Sequence, residues 1–128
     1  MKKHIFIIDD DEDELVFFTE AIKALNFPHK CTWAKSGEQA LQQLPYLMPD
    51  MIFIDYNMPR MNGLECIKAI RAMPHYRSVP IILHSNKMDS DLRYNGLKLG
   101  ATACINKQES LHKLMHFLQS FFQQHMQL

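Results

Sequence analysis

The sequence predicts an α/β fold, a five-stranded parallel sheet with helices on both faces, and three observations lead there. Five short apolar runs alternate with five helical patterns along the 128 residues. Three of the runs are continuously apolar rather than alternating, as central parallel strands covered on both faces require. No repeat, low-complexity tract or Pro/Gly/Ser linker interrupts the chain, so residues 1–128 read as one domain.

The first strand is expected over His4–Ile8, where apolar residues stop at a run of acids. A helix follows over Glu12–Asn26, with Leu15, Phe18, Ile22 and Leu25 on one face and Pro28 beyond its end. The second strand, Lys30–Trp33, is weaker and rests partly on spacing. Ser36 with Gln39 has capping-box form and opens a helix ending near Pro45. Met51–Ile54 is the third strand. Asn62 with Glu65 repeats the capping signal, and Leu64, Ile67 and Ile70 mark a buried stripe running up to Pro74. Pro80–Leu83 is the fourth strand. The helix over Asp89–Leu99 carries Gly96, which costs about 1 kcal/mol relative to Ala. Thr102–Ile105 is a weak fifth strand, and Leu111, Leu114, Met115, Leu118, Phe121 and Phe122 give the last helix its apolar stripe.

Composition narrows the function. Fourteen Lys and Arg balance fourteen Asp and Glu, so no basic excess points to nucleic acid. The cysteines Cys31, Cys66 and Cys104 form neither a CxxC nor a disulfide framework, which fits a reducing, cytoplasmic setting. The four apolar residues Ile5–Ile8 are too few for a signal peptide or membrane span.

Ligands of parallel α/β sheets bind beyond the carboxyl ends of the strands. The first strand ends in Asp9, Asp10 and Asp11, the third at Asp55, the fourth at Ser85, and the fifth runs into Lys107. Taken singly, acids in a first helical turn complement the helix dipole and a lone lysine is a solvated group. Together they converge on one rim. Three carboxylates about 4 Å apart repel by roughly 4 kcal/mol per pair at an effective dielectric near 20. A divalent cation removes that repulsion, and an all-oxygen ligand set suits Mg²⁺. With a lysine beside it, such a site accepts a phosphoryl group, and a carboxylate is a competent nucleophile for it.

Ile7-Ile8-Asp9-Asp10-Asp11, Asp55-Tyr56-Asn57-Met58-Pro59-Arg60-Met61-Asn62-Gly63, Leu83-His84-Ser85 and Lys107 resemble the receiver domain of bacterial two-component response regulators. The resemblance covers essentially the whole chain, and the Asp-x-Asn-Met-Pro-x-Met-x-Gly run is its most specific part. It implies the flavodoxin-like strand order 2-1-3-4-5. It implies a phosphoacceptor switch with no enzyme activity beyond weak self-phosphorylation and self-dephosphorylation. The short Gln/His/Met tail after the last helix adds the expectation of a stand-alone receiver with no effector domain, and the composition that of no nucleic-acid or membrane partner. Asp55 would accept the phosphoryl group from a phosphohistidine of a sensor histidine kinase or histidine phosphotransfer protein. Asp10 would bind Mg²⁺ (or Mn²⁺) directly and Asp9 through water, with Asp55 and the Asn57 carbonyl completing the protein ligands. Ser85 and Lys107 would contact phosphoryl oxygens, while Asn57 and Lys87 would tune dephosphorylation. The downstream protein would be met at the face of the fourth helix, fifth strand and fifth helix.

Two positions depart from the family pattern. Cys104 stands where an aromatic switch residue is usual, and Gln108 where a cis proline follows the lysine. A cis bond to a non-proline residue costs about 2.5–4 kcal/mol, so Lys107–Gln108 is expected trans. The fourth helix, softened by Gly96, is then expected to carry more of the switch. These departures also suggest the alternative of a degenerate receiver acting as a phosphorylation-independent scaffold, against which the retained acids, Ser85 and Lys107 argue. A nucleotide- or flavin-binding enzyme lacks its glycine-rich loop here, and a haloacid-dehalogenase-type phosphatase would need an acid at Asn57. His112 and His116 read as a solvated face, His84 as a packed histidine directed away from the site, and Trp33 and Phe27 as core. The methionines read as core filler, with Phe117 partly exposed.

Overall fold

A computed structural model of the chain describes residues 2–107 and 111–125. The strands β1 (Lys3–Ile8), β2 (His29–Ala34), β3 (Met51–Asp55), β4 (Ile81–Ser85) and β5 (Ala103–Asn106) alternate with five helices. These are α1 (Glu12–Lys23), α2 (Gly37–Leu47), α3 (Gly63–Arg71), α4 (Ser90–Leu99) and α5 (Leu111–His125). All strand pairs are parallel, in the order β2-β1-β3-β4-β5. The order reverses between β1 and β3, which opens a crevice where their acidic ends lie side by side.

Continuous apolar runs are needed because each strand feeds two cores. Phe6, Ile8, Ile52, Ile54 and Leu83 face α2, α3 and α4 together with Leu44, Ile67 and Leu92. Ile5, Ile7, Phe53 and Ile82 face α1 and α5 with Phe18, Ile22, Leu118 and Phe122. Side chains alternate across a strand, so burial of both sets leaves no polar position in β3 or β4 until their ends.

Local chemistry fixes the helix starts. Asp11, Ser36, Asn62 and Asp89 each accept a backbone N–H of the following first turn. Asn62 and Glu65 form the full reciprocal box. Gln39 closes differently from the expectation: its Oε1 accepts the Lys35 N–H at 2.7 Å. The helix ends also differ. α1 stops at Lys23, and the N–H groups of Ala24 and Leu25 tighten onto Ala21 and Ile22, so Leu25 stays buried beyond the regular helix. α2 continues through Pro45 to Leu47, because a proline this near the end breaks little. The Tyr76 hydroxyl donates to the Leu44 carbonyl there. α3 stops at Arg71, and Pro74 opens a 3₁₀ turn over Pro74–Tyr76. The Arg71 guanidinium ties these ends together, donating to the carbonyls of Tyr76, Val79 and Gly100 at 2.7–2.9 Å. The expected trans bond of Lys107–Gln108 lies outside the described residues, as does the Leu111 side chain.

Candidate functional site

β1, β3 and β4 end at the same rim, and their last residues build the site. Asp9 follows β1 directly, its N–H bonded to the Ala34 carbonyl at 3.0 Å. Its carboxylate is 1% exposed. Oδ1 accepts the Asp11 N–H at 3.0 Å, while Oδ2 has no hydrogen-bond partner among the described residues. Asp10 is exposed beside it. Asp55, the last residue of β3, is buried, and its Oδ1 accepts the Asn57 N–H at 3.3 Å. One carboxylate oxygen each from Asp9, Asp10 and Asp55 lie within 4.8 Å of one another. A buried carboxylate oxygen without a hydrogen-bond partner, in an all-oxygen donor set, fits a hard divalent cation such as Mg²⁺.

Lys107 reaches this cluster from the end of β5. Its N–H is bonded to the Ser85 carbonyl at 2.8 Å, which fixes the backbone. Its Nζ lies 3.4 Å from Asp55 Oδ1, 3.7 Å from Glu14 Oε1 and 3.9 Å from Asp9 Oδ2. Ser85, the last residue of β4, is buried, and its Oγ accepts the Lys87 N–H at 3.2 Å. The Lys87 side chain is exposed.

The charges respond to this crowding. Burial, joined by Asp55 and Glu14, pushes the Asp9 carboxyl up to about 7, against the Asp11 N–H and Lys107. Burial also raises Asp55, with Lys107 and the Asn57 N–H pulling the other way. Burial alone would lower the Lys107 ammonium, but Asp55, Asp9 and Glu14 outweigh it and hold it above the usual lysine value.

The structure brings Asp9, Asp10, Asp55 and Lys107 together and sets Ser85 and Asn57 at the adjoining strand ends. His84 leaves β4 opposite to Ser85 and packs against Phe18 and Phe53. Contrary to the expectation, it shares a sheet face with its register partner Asp55 and lines the cleft that holds Lys107 and Glu14. Burial, then Lys107, lowers it to about 3, so it is neutral. His112 and His116 are exposed and Phe117 half-buried. The supporting roles of three residues escaped the sequence reading. Trp33 is no plain core residue, since its Nε1 donates to the Asp9 carbonyl at 2.7 Å and holds the acidic turn. Gly63 lets α3 start against β3: a Cβ there would lie 2.7 Å from the Asp55 carbonyl oxygen. Its N–H also closes the loop onto the Tyr56 carbonyl at 2.9 Å. Glu14 was hidden among six consecutive acids.

A doubly wound parallel sheet with an acid triad and a lysine at its carboxyl edge defines the receiver class of signalling domain. The chain belongs to the response regulator receiver domain family, whose sequence pattern matches residues 5–119. It is 31% identical over 111 residues to the transcriptional regulatory protein PrrA of Mycobacterium tuberculosis, covering 87% of this chain and 46% of that protein. It is 30% identical over 107 residues to a probable cyclic di-GMP phosphodiesterase of Vibrio cholerae, covering 84% of this chain and 24% of that protein. The chain thus spans less than half of either relative. Against a probable chemotaxis protein CheY of Rhizobium etli, identity is 25% over 121 residues, covering 94% of this chain and 93% of the other. The phosphorylated cyanobacterial phytochrome response regulator RcpA shares the fold with a TM-score of 0.87 at 22% identity, over 98% of this chain and 95% of that one. As a receiver domain, the chain is a phosphoacceptor switch of two-component signalling. Among the described residues, no helix is long and apolar enough to cross a membrane.

Proposed function

We propose that Asp55 is the phosphorylated residue, with Lys107 and Ser85 as its phosphoryl partners. The observation that carries this reading is the placement of Asp55 between two further aspartates and the only lysine ammonium within 4 Å of it among the described residues. A carboxylate oxygen of Asp55 attacks phosphorus, forming a P–O bond as the P–N bond of a phosphohistidine breaks. The electron pair leaves with the imidazole, which takes up a proton. The donor is a sensor histidine kinase or a histidine phosphotransfer protein. Asp9, Asp10, Asp55 and the Asn57 carbonyl would hold Mg²⁺ or Mn²⁺, which supplies charge neutralisation at the phosphoryl oxygens. Lys107 donates to one phosphoryl oxygen and Ser85 to another. Asn57 and Lys87 border the path of attacking water and set how long the acyl phosphate lasts.

The output is a change in population between two arrangements of the segment after Ser85, read by a protein partner at the face of α4, β5 and α5. The domain acts in the cytoplasm and is itself the substrate of transfer rather than an enzyme. The intact site supports this over a phosphorylation-independent scaffold. Incubation with Mg²⁺ and acetyl phosphate, followed by intact mass measurement, tests it. One phosphoryl group is expected on the natural sequence and none on Asp55→Asn. Addition to Asp55→Asn, or no addition to the natural chain, overturns the assignment.

A further inference from the structure

The carboxylates around Lys107 are of two kinds. Asp9 and Asp55 belong to the cluster whose oxygens can surround one ion, together with Asp10. Glu14 lies outside that cluster, yet its Oε1 is 3.7 Å from the Lys107 Nζ, between the 3.4 Å of Asp55 and the 3.9 Å of Asp9. Its place follows from α1: Glu14 is the third helical residue, after the Asp11 cap. From there its side chain meets Lys107 in a narrow cleft walled by Phe17, Phe18, Ile105, Leu114 and the neutral His84. Mostly apolar walls limit the access of water and strengthen the ion pair between them. The Lys107 side chain is 12% exposed and that of Glu14 28%.

An ammonium has three donors and no acceptor, on a flexible four-carbon stem. Its contacts therefore decide where it points. A dication held by Asp9, Asp10 and Asp55 takes up the charge of two of the lysine's three acids and repels the ammonium as well. Glu14 is the acid that remains.

We propose that Glu14 is the positioning residue of Lys107, anchoring its ammonium at the site while a divalent cation occupies the aspartates, so that the remaining donors face the incoming phosphoryl group. This rests on the reading of Asp55 and its cation given above. The competing role for Glu14 is that of an acid complementing the α1 dipole, which Glu12 in the same turn shares. Glu12 pairs instead with Lys35, at 3.8 Å.

The test compares the natural chain with Glu14→Gln, Glu14→Asp and Glu12→Gln. It measures NMR relaxation of the Lys107 Cε methylene without Mg²⁺ and at saturation, and the rate of phosphorylation by acetyl phosphate at saturating Mg²⁺. In the natural chain Lys107 stays ordered in both states. Glu14→Gln keeps that order without Mg²⁺ and loses it on saturation, and its phosphorylation slows roughly two- to fivefold, the scale of one partly exposed ion pair. Glu14→Asp recovers part of the order, and Glu12→Gln matches the natural chain in both readouts. Order that persists in Mg²⁺-saturated Glu14→Gln, or an equal loss in Glu12→Gln, overturns the proposal. If the natural chain neither binds Mg²⁺ nor becomes phosphorylated, the underlying reading fails, and this inference with it.

Discussion

Asp9 carries an electrostatic cost at the rim, and its direction can be worked out. Its folded carboxyl titrates at about 7, well above the ordinary aspartate range near about 4. In metal-free protein the unfolded chain releases this proton above about pH 4, while the folded chain holds it until about pH 7. Stability therefore falls as pH rises through that window and stays at the lower level above it. Asn carries no such proton, so Asp9→Asn is expected to stabilise the metal-free protein at about pH 8, by on the order of 1–3 kcal/mol. The gain fades below about pH 4, and Mg²⁺ narrows it by binding the natural chain. Urea denaturation in a chelator checks this, and an Asp9→Asn variant less stable than the natural chain at alkaline pH would sink it. Asp9, Asp55 and Lys107 were legible in the sequence because each stands at a strand end where chemistry gathers. The roles of Trp33, Glu14 and Gly63 were not, although Gly63 closes the motif that carries the resemblance. Their roles depend on what the fold sets against them: a carbonyl for Trp33, a backbone approach for Gly63, an ammonium for Glu14.

At the scale of elements, α4 departs most from ordinary helix logic. Gly96 is buried against the sheet, and a Cβ there would lie 2.8 Å from Cys104 Sγ and 2.9 Å from Leu83 Cδ2. The residue that reads as a weak point in the helix is thus a packing requirement: α4 approaches β5 closely because Gly96 and Cys104 are both small. The Arg93 guanidinium seals the contact by donating to the Cys104 carbonyl. In an exposed helix, Gly→Ala gains about 1 kcal/mol. Here Gly96→Ala is expected to cost about 1–3 kcal/mol, because overpacking a full core exceeds the propensity gain. A denaturation cycle with Cys104→Ala should show coupling, the double variant losing less than the sum of the singles. A stabilising Gly96→Ala would refute the close approach. Every strand and α-helix was visible in the sequence, most of them because apolar period and capping residues act locally. The weak β2 and β5 showed partly through their spacing along the chain, while the 3₁₀ turn at Pro74–Tyr76 did not show. The ends were less so. α1 stops before its apolar stripe does, and Pro45 is tolerated in a last turn where a tyrosine from a distant segment takes a carbonyl.

For the molecule as a whole, the sheet divides one core, shared by α2, α3 and α4, from another shared by α1 and α5. The site sits on the edge common to both, so the route of a signal is decided by which bonds leave it. From Ser85 they lead one way. The Ser85 hydroxyl now accepts the Lys87 N–H, the Met88 N–H is held by Asn106 Oδ1 at 2.7 Å, and Asp89 caps α4 through Leu92 at 2.8 Å. If Ser85 changes rotamer to bring its hydroxyl to a phosphoryl oxygen on Asp55, Oγ moves away from the Lys87 N–H and the strain falls next on the Met88–Asn106 bond. With Cys104 in place of a swinging ring, this chain of bonds and the Arg93 seal are what can give. Amide hydrogen exchange should therefore change on phosphorylation at Lys87, Met88 and the first turn of α4. The amides of α1, bonded within a helix on the far core, should stay as they were. Asn106→Ala, which frees Met88 in advance, should raise exchange there before phosphorylation and shrink the further change. Exchange that shifts mainly in α1 while α4 stays silent would mean that the signal leaves through the other core, and that α4 is a fixed wall rather than the moving part.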